Sequence, residues 1–396
     1  MIIKRAYKFK LKPNPQQTTH FLQFAGARRY IYNRGLDQRQ KVYEATGKTL
    51  SYFEQNNELP LLKEQEETAW LSDIHSQVLQ QSLKDLDRGF TNFFTRIKKG
   101  QKPGFPRFKK KGLGESFRFP QGVKVEGAQV YLPKIGWVKF YKSRDLKGEI
   151  QETTILQEGE SWYVSFSCEV EVTTPKPAPL DEERAVGIDV GVAHFATTAA
   201  TSQNNIEQIE NPRFLQKHLK RLQYLSRQHS KKVKKSQNSL KARLKLSKLH
   251  AHIKNLRDDF VQKLSTKMVK NHDIFCVESL DITTLLQNSP KALARSISDA
   301  GWRSFLHCLK YKIEECGKHL VEAGKYFPSS QICSHCKERQ KMPLIVRRYH
   351  CPHCKQERDR DENSAIVLKA AGMSVLLKAC GAALTVGSFE AGILRL

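Results

Sequence analysis

The chain has 396 residues, enough for two or three domains and a sizeable core. Its 67 Lys+Arg against 40 Asp+Glu leave a formal net charge of +27, which points to nucleic acid, whose phosphates release counterions when neutralised. An anionic membrane surface would need an amphipathic anchor or a lipidation site, and no run of 18 apolar residues offers a transmembrane helix; the sequence has none of the three.

The first residues, Met1–Tyr7, alternate as a strand and lack a signal-peptide core. Residues 3–12 continue that strand with lysines on the outer face, and Pro13 and Pro15 end it. Phe21, Leu22, Ala25, Tyr30 and Ile31 then give a loose helical spacing, with Arg28, Arg29 and Arg34 between them, and residues 44–60 are polar with a turn near Gly47. A clearer amphipathic helix spans residues 74–99 through Ile74, Val78, Leu79, Leu83, Leu86, Phe90, Phe93 and Ile97. Its other face carries Gln80, Lys84 and Arg88, either a solvated stripe or a contact to DNA or RNA. Residues 98–111 form a basic linker in which Phe105 and Phe108 interleave with Arg107 and lysines, a pattern suited to phosphate contacts and to stacking on unpaired bases. From 115 to about 173 the pattern turns to short strands between Gly, Pro and Asp turns, which predicts a small barrel or folded sheet. The opening strand joins it, so that the helices of 15–100 are an insertion. The proline-rich run 173–179 marks a domain boundary.

The second half opens on Ala185–Val192, where small and β-branched residues surround a single carboxylate, Asp189. Burying it unpaired costs several kcal/mol, so a partner such as a metal ion is expected unless Asp189 only caps a turn. Gly187 and Gly191 let a ligand or another backbone approach it. Residues 194–199 read as the next strand of a meander. Between Arg213 and Lys270 stand eighteen Lys/Arg and two acids, a helical hairpin with a narrow apolar seam and a wide cationic face, better suited to nucleic acid than to a plain solvated surface. A second buried-looking strand, 274–277, delivers Glu278 at its carboxyl end, where ligands gather in α/β folds. Residues 301–322 are expected as an amphipathic helix, with a return strand within 321–327.

Of the nine cysteines, Cys333, Cys336, Cys351 and Cys354 form two Cys-x-x-Cys knuckles with zinc-ribbon spacing, and an odd count in that pattern favours a reducing compartment over disulfides. A closed four-thiolate shell makes the zinc structural, and His335, His350 and His353 nearby are not needed as ligands. Directly after it, Asp361 and Asn363 fall at the start of a helix, with Asp359 available as its N-cap. Phosphodiester hydrolysis needs an activated water and charge relief on the leaving oxygen. Two Mg²⁺ held by a few carboxylates supply both, and the order Asp189, Glu278, Asp361 on strand, strand and helix is that of an RNase H-like nuclease.

Gly187–Gly191, Val277–Leu280, the two cysteine pairs and Asp359–Ala365 resemble the RuvC and zinc-ribbon signature of the TnpB family, transposon-encoded relatives of type V CRISPR effectors. Gly104–Phe108, Ser298–Trp302 and Ser329–Gln331 are similar to further blocks of that family. The resemblance covers roughly residues 1–370. It implies an α/β and β multi-domain chain: a β-barrel wedge domain (1–14 and 102–178) interrupted by a helical recognition domain (15–101), a RuvC nuclease domain (179–328 and 356–371) with an inserted zinc ribbon (329–355), and a tail (372–396) without a readable motif. It also implies an RNA-guided DNA endonuclease that binds a guide RNA from its own element, recognises a short transposon-adjacent motif in double-stranded DNA, and cuts the opened single strands. The implied catalytic and Mg²⁺-binding acids are Asp189, Glu278 and Asp361, with Mn²⁺ able to stand in; the zinc ligands are the four cysteines. Tyr52 and Gln80 are implied contacts to the adjacent DNA motif. The implied location is a prokaryotic cytoplasm, at the nucleoid. A guided repressor without cleavage and an RNA-independent transposase are the alternative functions. The chain departs from the family at Ser279 (often Asp or Asn), at Ser364 (usually Ala), and at Lys337 and Lys355, which replace glycines after each knuckle.

Overall fold

A computed structural model gives the structure of residues 2–112, 115–173, 175–200, 205–324, 327–343, 346–379 and 394–395. The chain folds as two units, Met1–Thr173 and Thr174–Leu396.

In the first unit, β1 (Ile2–Lys12) turns Tyr7, Phe9 and Leu11 inward and its lysines outward. Asn14 then caps α1 (Pro15–Thr46): its side chain accepts from Gln17 N at 2.8 Å, and the Gln17 side chain accepts from Asn14 N at 3.0 Å. Helix α1 runs unbroken for 32 residues and stops at Gly47, whose φ of 67° is left-handed. Short helices α2 (Tyr52–Asn57) and α3 (Leu59–Glu64) lead to α4 (Ser76–Lys98). The predicted stripe of α4 is buried at Val78, Leu79, Leu83 and Leu86, whereas Ile97 is exposed.

Strands β2 (Ser116–Phe119), β3 (Lys124–Glu126), β4 (Gln129–Leu132), β5 (Gly136–Phe140), β6 (Glu149–Glu158) and β7 (Ser161–Glu171) complete a seven-stranded antiparallel sheet in the order β2-β6-β7-β1-β5-β4-β3. β1 is the hinge of this sheet. Residues Ile2–Lys10 pair with β7, and Leu11 and Lys12 pair with β5. The opening strand thus joins the later sheet across the helical insertion. Among the described residues β2 and β3 are the end strands, the folded sheet of the two forms expected. Helix α1 lies over the β2 end, with Phe24 and Phe21 5.3 and 5.8 Å from Phe117 between ring centroids.

The second unit is built on a six-stranded sheet, order β10-β9-β8-β11-β12-β15, from β8 (Ala185–Val190), β9 (His194–Ala199), β10 (Ile206–Glu210), β11 (Ile274–Glu278), β12 (His319–Ala323) and β15 (Leu394–Arg395). β8, β9 and β10 form an antiparallel meander; β8, β11 and β12 are mutually parallel. The cationic hairpin is α5 (Phe214–Ser230) and α6 (Gln237–Asn271). Helices α7 (Ile282–Asn288), α8 (Lys291–Ala300) and α9 (Trp302–Glu315) connect β11 to β12. The expected helix over 301–322 therefore ends early. Gly317 takes a left-handed φ of 65°, a Cβ there would lie 2.6 Å from Lys176 O, and Leu320 belongs to β12. The cysteine-rich segment follows with the antiparallel pair β13 (Arg348–His350) and β14 (Glu357–Asp359), and then α10 (Arg360–Ala379).

Helix α10 crosses the sheet at two side-chain-free points. A Cβ on Gly187 would lie 2.0 Å from Ala365 O, and one on Gly372 would lie 2.2 Å from Cys276 Sγ. The expected boundary at 371/372 falls inside this helix, which continues because Met373 and Leu376 bury against Ile274, Cys276 and Val321. Most of the remaining tail lies outside the described residues. No helix among them is long and apolar enough to cross a membrane.

Candidate active site

Asp189 and Glu278 leave the sheet near the carboxyl ends of the adjacent parallel strands β8 and β11, as the positions of Ile188 opposite Val277 require. Asp361 enters from the first turn of α10. All three line one cavity of about 730 Å³ together with Ser329, Ser364 and the arginines 339, 347 and 360. Gly187 brings α10 against β8 by letting the backbone of Ala365 approach, and Gly191 leaves room for Asp361, whose Oδ2 lies 3.7 Å from where a Cβ would stand.

Asp359 is the N-cap of α10: its Oδ1 accepts from Asp361 N at 2.9 Å and from Glu362 N at 3.3 Å. That frees Asp361 to face the cavity, where Arg347 Nη1 stands 3.7 Å from its Oδ1. Burial, and then the charges of Asp361 and Glu278, push the Asp189 carboxyl well above the usual carboxylate range; a hydrogen bond from Ser364 and the charge of Arg360 pull the other way. Burial also raises Glu278. Three carboxylates facing one cavity are oxygen donors of the kind a hard divalent cation takes, and such a cation would offset the charges of Asp361 and Glu278 that act on Asp189.

The four cysteines form a second, tighter constellation. Their sulfurs all lie within 4.8 Å of one another, a closeness that no other set of three or more acidic, histidine or cysteine side chains reaches among the described residues. Cys333–Cys354 and Cys336–Cys351 are separated by 3.6 and 3.5 Å, near the roughly 3.8 Å expected between thiolates tetrahedrally bound to zinc at about 2.3 Å. Burial raises the Cys351 thiol, but the backbone N–H groups of Cys354 and His353 and the neighbouring thiols outweigh it and lower it, whereas Cys333, chiefly through burial, and Cys336 are raised: the clustered thiols do not all give up their protons easily without a cation among them. The donor set therefore fits zinc. Each knuckle closes through a left-handed lysine: Lys337 (φ 68°) donates its N–H to Cys333 O, and Lys355 (φ 60°) to Cys351 O. These are the two positions at which the resemblance led glycines to be expected.

Asn363 ties the two constellations together. Its side chain accepts from Ser334 N at 2.9 Å, inside the first knuckle, and donates to Ile332 O at 2.7 Å. One residue on, the Ser364 and Ser329 hydroxyls are 2.9 Å apart. The four-cysteine segment is thus tied to the first turn of the helix that carries Asp361.

Sequence reasoning singled out Ser298–Trp302 only as a resembling block. In the structure Asp299 is buried and caps α5 from a distance, accepting from Leu215 N at 2.9 Å and Gln216 N at 3.2 Å while Arg257 Nη2 approaches to 3.3 Å. A buried acid 84 positions from the helix it caps leaves no local signal. The expected nucleic-acid contacts of the first unit separate into three places. Tyr52 and Lys84 come together, with Lys84 Nζ 5.7 Å from the tyrosine ring centroid, and Gln80 lies one turn earlier on α4. Phe105 packs edge-on against Phe90 and Phe93 at 5.5 and 5.3 Å, Phe108 lines a different cavity on α1, and Arg107 is exposed.

Three family profiles match the chain: a helix-turn-helix domain of the OrfB_IS605 family over residues 1–48, the OrfB_IS605 family, described as a probable transposase, over 165–289, and the Cas12f1-like TNB domain over 302–368. Over residues 1–48 the structure itself has β1 and the unbroken α1. The Escherichia coli (strain K12) protein InsQ, named provisionally as an RNA-guided DNA endonuclease, is 36% identical over 394 residues, spanning 95% of this chain and 94% of its own. A Streptomyces pristinaespiralis protein named in the same provisional way is 34% identical over 391 residues, spanning 96% and 91%. The chain in the cryo-EM structure of a Cas12f1-sgRNA-target DNA complex aligns with a TM-score of 0.51 at 12% identity, over 93% of this chain and 99% of that one, a likeness of fold. With relatives more than 30% identical along nearly their whole length, the chain belongs to the TnpB family.

Proposed function

We propose that this protein is an RNA-guided DNA endonuclease of a transposon, with an RNase H-like (RuvC) nuclease domain, a zinc ribbon inserted before its last helix, and a wedge sheet interrupted by a helical recognition domain. The observation that carries this reading is the convergence of Asp189, Glu278 and Asp361 on one cavity from three separate elements, in a chain so similar throughout to InsQ. When bound, two Mg²⁺ supply an activated water and charge relief at the scissile phosphate. The residues of this chain do the rest. The three carboxylates hold the ions. Ser364 orients Asp189, and the arginines 339, 347 and 360 around the same cavity attract the phosphodiester. The ribbon fixes Asp361 through Asn363 and contributes Arg339 and Arg347 to that rim.

The substrate side rests on charge. The α5–α6 hairpin offers a cationic surface for guide RNA and target DNA, and Tyr52, Gln80 and Lys84 form a compact polar patch for the adjacent DNA motif. The test is to purify the full chain with its co-bound RNA, sequence that RNA, and present DNA that matches it next to randomised flanking sequence with Mg²⁺. Cleavage of matched DNA beside one preferred flank is expected. Cleavage that survives ribonuclease treatment would instead identify an RNA-independent transposase, and matched binding without nicks a guided repressor.

A further inference from the structure

Helix α1 carries an uncovered aromatic cavity of about 820 Å³ on the face that bears Gly26, Tyr30 and Asn33. Leu22, Tyr30, Trp70 and Phe108 line it and are 48%, 37%, 42% and 49% exposed. Large apolar groups gathered around one concavity mark a binding surface more than a solvated face. The walls are already ordered. The Tyr30 ring stands edge-on to Trp70 with centroids 5.5 Å apart. Asn33 grips the backbone beside Phe108, accepting from Lys109 N at 2.7 Å and donating to Lys109 O at 2.9 Å. Arg29, Arg34 and Lys111 stand at the rim. The acids there, Asp37 and Glu115, are paired with Lys41 and Arg29, and Arg34 Nη2 stands 3.6 Å from Glu58 Oε2 while keeping an exposed side chain.

Gly26 adds an independent observation. It lies mid-helix, where glycine weakens a helix, yet a Cβ there would meet only Arg29 Nη2, at 3.7 Å. No protein neighbour accounts for the missing side chain, whereas a flat ring laid on the helix would.

We propose that this cavity is a stacking site for unpaired bases, with phosphates on the Arg34–Lys111 side of the rim, and that its occupant is a single-stranded part of the guide RNA. The proposal deepens the RNA-guided reading and rests on it. Aromatic walls accept the π-face of any base, cations at the rim meet the backbone, and only an unpaired base can present its face in this way.

Full-length protein is loaded with guide RNA carrying 4-thiouridine and irradiated, and its adducts are mapped by mass spectrometry. Adducts are expected on the peptides holding Trp70 or Phe108. The doubly substituted Trp70→Ala, Phe108→Ala protein is expected to bind the RNA about 5- to 150-fold more weakly. Gly26→Leu guards against a folding artefact: leucine suits the helix and fills the floor, so the thermal midpoint should hold or rise while RNA binding weakens. Adducts and weakened binding seen only with single-stranded DNA would overturn the RNA assignment. RNA bound at wild-type affinity by Gly26→Leu, with no adduct at either aromatic residue, would overturn the site and leave the guided reading intact. Failure of the wild type to bind any RNA would overturn both.

Discussion

Gly187→Ala is the smallest change that tests how the nuclease cavity is assembled. A methyl group there would lie 2.0 Å from Ala365 O, 2.7 Å from Lys369 N and 2.9 Å from Lys369 Cβ, all on α10 and two of them backbone atoms. An ordinary carbon–oxygen contact is about 3.3 Å, so the helix must retreat from β8 by roughly 1.3 Å. Overpacking of a core costs about 1–3 kcal/mol, and rigid backbone puts this site toward the upper end. The same shift carries Asp361 and Ser364 away from Asp189. A misplacement near 1 Å costs about 100-fold in rate, so guided cleavage should fall by that order while binding of guide RNA is kept. Denaturant unfolding and a single-turnover cleavage assay read the two effects. Wild-type stability together with wild-type cleavage in Gly187→Ala would refute the claim that α10 reaches the acids by backbone contact at this glycine.

Other expectations follow from the same neighbourhood. Ser364→Ala removes the hydroxyl that contacts Ser329 and Asp189; Mn²⁺ titrated calorimetrically should bind about tenfold more weakly, and unchanged affinity would deny Ser364 that role. Lys355→Gly relieves a left-handed non-glycine residue in the second knuckle, worth about 1 kcal/mol, so zinc release to a chelator should slow; faster release would contradict the strain. Asp189 also sets a pH dependence in zinc-loaded, Mg²⁺-free protein. Its raised folded-state pKa means that its stabilising contribution is complete below the ordinary value of 3.8 and is lost as pH rises through the raised one. The thermal midpoint should therefore carry a downward slope over that window that Asp189→Asn abolishes and Mg²⁺ opposes. An identical slope in the variant would argue against the perturbation.

The acids and cysteines were legible because each sits in a short local pattern: a carboxylate after a β-branched run, or two residues between thiols. Their convergence needed only the strand–strand–helix order. The glycines beside Asp189 signalled a close approach, but what approaches Gly187 is α10, which lies far along the chain. Contacts of that kind hid the rest. Asp299 accepts the N–H of Leu215, in the first turn of α5 and 84 positions earlier. Gly317 ends α9 against Lys176 and sends Leu320, an acceptable member of a helical stripe, into β12. Leu22 and Phe21 look alike in the apolar spacing, yet one is 48% exposed and the other is fully buried. Periodicity gives a helix two adjacent apolar positions without saying which of them a sheet will cover. β10, with alternating polar residues, has too little apolar character to stand out.

The central claim is that Asp189, Glu278 and Asp361 act together as the cutting centre of an RNA-directed nuclease. It is tested most directly by Mg²⁺-dependent cleavage of guide-matched DNA by wild-type protein and by Glu278→Gln, with binding of the same DNA measured in parallel. Loss of a residue that merely supports a metal ligand costs about 10- to 100-fold, so loss of a ligand should lower cleavage by more than about 100-fold while guided binding persists. Cleavage by Glu278→Gln at the wild-type rate would contradict the account.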